Sequence, residues 1–103
     1  MFVSQVTFAA EIAHEEFVKN IIEKKEAKGI QWEGFIASEA WRSETSGEVA
    51  YTWVLKWESK AHFMDWMKRP EHIEGHKQMR KLAPDPNRPR ITKTTKQYEV
   101  VSF

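Results

Sequence analysis

An α+β fold of the ferredoxin-like kind, β-α-β-β-α-β, is predicted by three features of this 103-residue chain. Apolar residues alternate with a period of two at the amino terminus and switch to a helical period between Ile12 and Lys28. Two further period-two runs follow one another across a short polar connection. A second helical segment and a closing extended segment then complete the split βαβ order. The length suits one domain, residues 1–103, built around a single two-layer core.

Phe2–Phe8 sets Phe2, Ser4, Val6 and Phe8 on one side of a first strand and Val3, Gln5 and Thr7 on the other. Ile12–Lys28 carries Phe17, Val18, Ile21 and Ile22 as an apolar stripe, flanked by Glu15, Glu16, Lys19, Glu23, Lys24 and Lys25. Acids early and bases late suit the helix dipole, and Gly29 is the natural stop. Phe35–Ser43 and Glu48–Trp57 are the next strands, joined by the hairpin-type connection Glu44-Thr45-Ser46-Gly47. In the second of them Val49, Tyr51, Trp53, Leu55 and Trp57 share one face, and Ala50, Thr52, Val54 and Lys56 share the other. Ser59 is the predicted N-cap of a helix bearing Phe63, Trp66 and Met67. Pro70 fits the first turn of a second helical piece reaching about Lys81, because proline lacks only a donor that position does not use. Leu82–Arg90, with three prolines, reads as a loop, and Thr94–Phe103 as the closing strand.

Composition narrows the function. Net charge +1 gives no case for nucleic acid or an anionic membrane, although Lys77–Lys96 holds seven Lys/Arg against the single acid Asp85. The absence of cysteine excludes disulfides, thiolate metal sites and a cysteine nucleophile. The start M-F-V-S-Q-V-T-F lacks the pattern of a secretory signal, and no apolar run reaches membrane-spanning length. A soluble, cytoplasmic protein is expected. Five tryptophans, Trp32, Trp41, Trp53, Trp57 and Trp66, are many for one small core, so some should line a pocket or a subunit interface. Two helices on one sheet face leave the other bare; that face is expected to carry aromatics and to be covered by a second copy in a homodimer.

The segment Trp57–His76 holds the candidate site. His76 is either an axial ligand for heme iron or an exposed imidazole, and His72, one turn earlier, is its rival. The His72–His76 pair is not H-E-x-x-H, and no third zinc ligand is evident. Gly75 removes a side chain beside His76, which suits close approach of a large planar ligand or is a weak point in a helix. Trp66 is either a core aromatic on the stripe with Phe63 and Met67 or a pocket wall. No nucleophile elbow, phosphate loop or dinucleotide fingerprint is present.

Glu33-Gly34-Phe35, the strand end Trp57-Glu58-Ser59, Phe63-x-x-Trp66 and His72-x-x-Gly75-His76 together resemble the antibiotic biosynthesis monooxygenase superfamily, and most nearly its IsdG-like and HmoA-like heme-degrading members. The resemblance implies a ferredoxin-like homodimer whose sheets form a dimeric α+β barrel. It implies an enzyme for which heme is cofactor and substrate, which opens the porphyrin ring, releases iron and draws electrons from an external donor. His76 matches the family's axial ligand to heme iron, and Trp66 matches the tryptophan that distorts the porphyrin. Phe63 and Gly75 belong to the same binding segment. The family's first-strand asparagine, which hydrogen-bonds bound oxygen, has no counterpart here; Thr7 stands nearest, with Gln5 on the same face. Arg88 and Arg90 are candidates to meet the propionates. Two other readings stand beside this one: cofactor-independent oxygenation of a small phenolic or quinone-like substrate, and a non-catalytic heme-binding regulatory dimer.

Overall fold

A computed structural model of the chain describes residues 1–70 and 89–103. Beyond Pro70 itself, the helical piece predicted from Pro70 to Lys81, with His72, Gly75 and His76, lies outside the described residues. So does all of the predicted loop 82–90 except Pro89 and Arg90, which belong to neither helix nor strand.

The elements run β1 (Phe2–Glu11), a 3-10 turn (Ile12–His14), α1 (Glu15–Lys28), β2 (Phe35–Thr45), β3 (Glu48–Trp57), α2 (Lys60–Met67) and β4 (Thr92–Glu99). The four strands form one antiparallel sheet in the order β2-β3-β1-β4, so the ferredoxin-like arrangement is the observed one. β1 continues three residues past the predicted end. Ala9, Ala10 and Glu11 find partners in Ala50, Val49 and Glu48, and Ile12 N–H closes the corner on the Gly47 carbonyl at 2.8 Å. The predicted helix accordingly begins later, with α1 starting only after the 3-10 turn. The β2–β3 connection is tighter than predicted. Ser46 and Gly47 both take positive φ, 44° and 81°, the twist a two-residue hairpin needs between right-twisted strands.

β4 starts and stops two and four residues earlier than predicted, at Thr92 and Glu99. Its partner decides this: Glu99 pairs with Phe2, the first residue of β1, so the ladder has nothing further to pair with. Beyond it, Val100 N–H reaches the Met1 carbonyl at 2.9 Å.

The strand register assigns the faces. Phe2, Ser4, Val6, Phe8 and Ala10 stand opposite Trp57, Leu55, Trp53, Tyr51 and Val49, and this side carries the core with α1 and α2. Val18 and Ile22 of α1 and Phe63 of α2 are its buried helical contributions. Phe17, predicted within the α1 stripe, is 38% exposed and lies at its edge. The uncovered face differs from expectation. Its middle is Thr7, Thr52 and Thr94 in one row, with Ala9, Ala50, Gln5 and Val54 around them. Among the described residues only Trp41 and Tyr98, on the two outer strands, are aromatic there. The reason is parity: the aromatic residues of β3 all sit at odd positions, and that side faces the helices.

Candidate functional site

Ser59 begins α2 as predicted, its hydroxyl accepting from His62 N–H at 3.3 Å. The same hydroxyl lies 2.7 Å from His62 Nδ1, which lays the imidazole over Gly34. A Cβ at Gly34 would stand 2.2 Å from that ring, and Gly34 has φ of 85°. Glu33-Gly34-Phe35 is thus the place where the chain passes under His62, and Glu58 N–H locks it by donating to the Gly34 carbonyl at 2.8 Å.

This seating aims one face of α2 at the sheet. Phe63 packs on Phe2 and Trp57, with ring centroids 5.4 and 5.9 Å away. Trp66 lies 5.4 Å from Trp57 and 6.4 Å from Phe63, and the guanidinium of Arg69 sits 4.2 Å over its ring. Trp57 itself is fully buried, and its indole N–H has no hydrogen-bond partner among the described residues. Its contacts with Phe35, Phe63 and Trp66 offset a desolvation cost of about 1–3 kcal/mol. Trp66, by contrast, is only half-buried. It packs on the aromatic core with one side and lines a cleft with the other.

Two clefts meet at Trp66. The inner, of about 220 Å³, lies between β1, β3, β4 and α2 and is walled by Phe8, Trp53, Leu55, Phe63, Trp66 and Met67. The outer, of about 420 Å³, lies between the end of α1, Trp32 and the end of α2. Lys25, Trp53 and Trp66 line both. No Asp or Glu lines either cleft among the described residues, whereas Lys25, Lys28, Arg69, Lys93 and Lys96 do. The Lys25 ammonium sits 5.4 Å over the Trp53 ring and 5.9 Å from that of Phe8, which Lys93 approaches equally closely from β4. Burial pushes the Lys25 ammonium below the usual lysine value, and repulsion from Lys93, Lys28 and Arg69 adds to this. The carboxylate of Glu26, next to Lys25 in α1, accepts from the Trp53 indole N–H at 2.5 Å.

The structure brings Phe63 and Trp66 together and does not bring Thr7 to them. Thr7 is on the opposite face of the sheet, where its hydroxyl is 2.7 Å from that of Thr52. Gln5 shares that face by register, although it borders the inner cleft. The β1 side chains that do face α2 are Ser4, Val6 and Phe8, one residue out of step with Thr7. Arg90 is exposed and lines neither cleft; Arg88 lies outside the described residues. Lys25 and Lys93 were not foreseen as site residues. A signal existed for Lys25, which continues the buried Val18–Ile22 row at helical spacing and is a charge where an apolar residue belongs.

Among the described residues no group of three or more His, Asp or Glu could hold a metal ion, and no helix is long and apolar enough to cross a membrane. The chain is a small ferredoxin-like domain with an aromatic cleft under α2, between sheet and helices. Residues 1–78 match the sequence profile of the antibiotic biosynthesis monooxygenases, and the chain belongs to that family. Its enzymes are monooxygenases.

Three solved structures illustrate the likeness. A Bacillus cereus protein assigned to the antibiotic biosynthesis monooxygenases is 23% identical with a TM-score of 0.63, over 99% of this chain and 92% of that one. The heme-degrader MhuD from Mycobacterium tuberculosis, with two hemes in its active site, is 18% identical with a TM-score of 0.63, over 98% and 97% of the two chains. SnoaB from Streptomyces nogalater, a cofactor-independent oxygenase, is 15% identical with a TM-score of 0.50, over 99% and 95%. At these identities the likeness concerns the fold. No curated protein matches the chain.

Proposed function

We propose that this protein is a heme-degrading monooxygenase, with the clefts beside Trp66 as the heme site. The observation that carries the reading is the lining: a half-buried tryptophan and other aromatic walls, edged by cations and by no carboxylate among the described residues. Such a lining fits a flat, apolar ring with acidic side arms, because the walls exclude water and the cations meet the acids. Phe63 and Trp57 back Trp66, so that its ring stands against a planar ligand rather than yielding to it. His76 is the proposed axial ligand, with Gly75 beside it, an assignment that rests on the sequence resemblance. Bound heme supplies both the redox-active iron and the ring that is oxidised, while electrons come from an external donor.

Hemin titration tests this. A Soret band should develop at a defined stoichiometry, and ascorbate or a reductase should then abolish it with release of iron. His76→Ala should abolish axial ligation, while His72→Ala should leave the spectrum nearly unchanged. The reverse pattern would place the ligand one helical turn earlier, and indifference to both would remove this segment from the heme site. One observation favours a second reading. The inner cleft, at about 220 Å³, is smaller than the roughly 300–1,000 Å³ of drug-sized ligand pockets. That suits cofactor-independent oxygenation of a small phenolic or quinone-like substrate, which would proceed with no Soret band at all.

A further inference from the structure

Three side chains, Lys25, Trp53 and Trp66, form the boundary between the inner and the outer cleft, since each lines both. Trp53 is the most deeply set of them, 6% exposed in the middle of β3, whereas Lys25 and Trp66 are half-buried. Its indole N–H donates to Glu26. Glu26 follows Val18 and Ile22 at four-residue spacing, so it puts a carboxylate where the α1 row would set an apolar side chain. The bond joins β3 to α1, and burial alone does not oblige it. Trp57, more deeply buried, keeps an indole N–H that is unpartnered among the described residues. On the β2 side little else holds the Trp53 ring. Its cross-strand neighbour there is Ala40, and a methyl group does not wedge an indole. Glu26 is itself exposed, so water can take over its carboxylate and the bond can open without stranding a buried charge.

We propose that Trp53, held by Glu26, is the specificity-determining residue that sets how large a ligand the site admits. With the bond closed, the indole separates a cleft of about 220 Å³, which takes only a small aromatic ring, from the outer cleft of about 420 Å³. With the bond open, the indole tips toward Ala40 and the two clefts become one, with room for a ring of tetrapyrrole size. Glu26 touches no ligand; it acts through Trp53 and is a positioning residue. The inference rests on the proposed reading of the clefts as the ligand site, but not on the presence of iron.

Titration calorimetry with 2-naphthol and with iron-free protoporphyrin tests this. The readout is the ratio of the two affinities, because a general loosening of the fold weakens both together. Glu26→Leu removes the acceptor, and Trp53→Phe removes the donor while keeping an aromatic ring. Each should raise the preference for protoporphyrin over naphthol about tenfold, the equivalent of one hydrogen bond to a charged group. Glu26→Gln keeps an acceptor oxygen and should hold the native ratio. Glu23→Gln, beside Lys19 on the exposed side of α1, should not move it. If the native protein binds naphthol alone and Glu26→Leu gains protoporphyrin, the heme reading falls and the partition stands. If the native protein binds protoporphyrin and neither Glu26→Leu nor Trp53→Phe changes the ratio, the partition falls and the heme reading stands. A Glu26→Gln ratio that follows Glu26→Leu, or protoporphyrin bound by no variant, would also overturn the proposal.

Discussion

Trp66 stands half in the core and half in the cleft, and the two halves make different demands on it. Toward the core it contacts Trp57 and Phe63; toward solvent it carries Arg69 over its ring. Trp66→Phe keeps the first set in part and presents a smaller face to the cleft. Heme affinity should change little, the rate of breakdown per bound heme should fall, and stability should drop by on the order of 1 kcal/mol. Thermal melting, hemin affinity and single-turnover rate, measured together on this variant, check the outcome. Lower stability with an unchanged rate per bound heme would return Trp66 to a purely structural role. The Phe63-x-x-Trp66 pairing was legible because three residues make nearly one helical turn, so the two rings share a face. The Thr7 assignment failed for an equally simple reason. Strand residues change face at every step, and the nearest polar residue to an expected position is on the wrong side half of the time.

At the scale of elements, the start of α1 is tied to the hairpin by one polar cluster. Arg42 of β2 donates to Glu15 through Nε at 2.6 Å and through a terminal nitrogen at 3.1 Å, and also to Glu44 at 2.8 Å. The Tyr51 hydroxyl of β3 donates to the same Glu15 carboxylate at 2.6 Å. Arg42 first, and Tyr51 after it, hold the Glu15 carboxyl well below the usual range, at about 2. A carboxyl depressed in the folded state adds stability above its unfolded value, 4.5, and loses it as pH falls toward 2. Acid denaturation between those limits should therefore be shallower in Glu15→Gln than in the native protein, and the difference should shrink in high salt because the cluster is open to water. Melting temperatures of both proteins from pH 6 to pH 2 would show it; parallel curves would mean that the cluster contributes nothing. The acid at Glu15 was legible as a dipole-compatible first-turn residue. Its partners were not, since Arg42 and Tyr51 meet it only once β2 and β3 pair in register.

At the scale of the whole molecule, the sheet face opposite the helices is left uncovered by the described residues. Trp41 is 48% and Tyr98 47% exposed at its flanks, around a centre of threonine and alanine. Small central residues let a second sheet approach closely, and the flanking rings would then close over its edges. We expect a homodimer joined through this face, burying a total of roughly 1,600 Å², the size of a standard stable interface. Sedimentation at micromolar concentration should give twice the chain mass, and Thr52→Arg, at the centre of the face, should give monomers that keep their fold. A native protein that sediments as a stable monomer would rule the pairing out.

Periodicity and turn chemistry were sufficient for the element order, the α2 cap at Ser59 and the sharing of one face by Tyr51, Trp53 and Trp57, because each depends on residues a few positions apart. The strand order, the ends of β1 and β4 and the side of the sheet that the helices cover depend on partners tens of residues away, and only the folded chain decides them. The same division runs through the site. Trp66 and Phe63 announce themselves on one helix. Lys25, Lys93 and Arg69 belong to three separated segments whose charges look individually unremarkable, and their convergence exists only when β4 has closed the sheet beside β1 and α1 has packed across it. Charge acts through space rather than along the chain, so a cluster of charges drawn from distant segments is written in the tertiary structure alone.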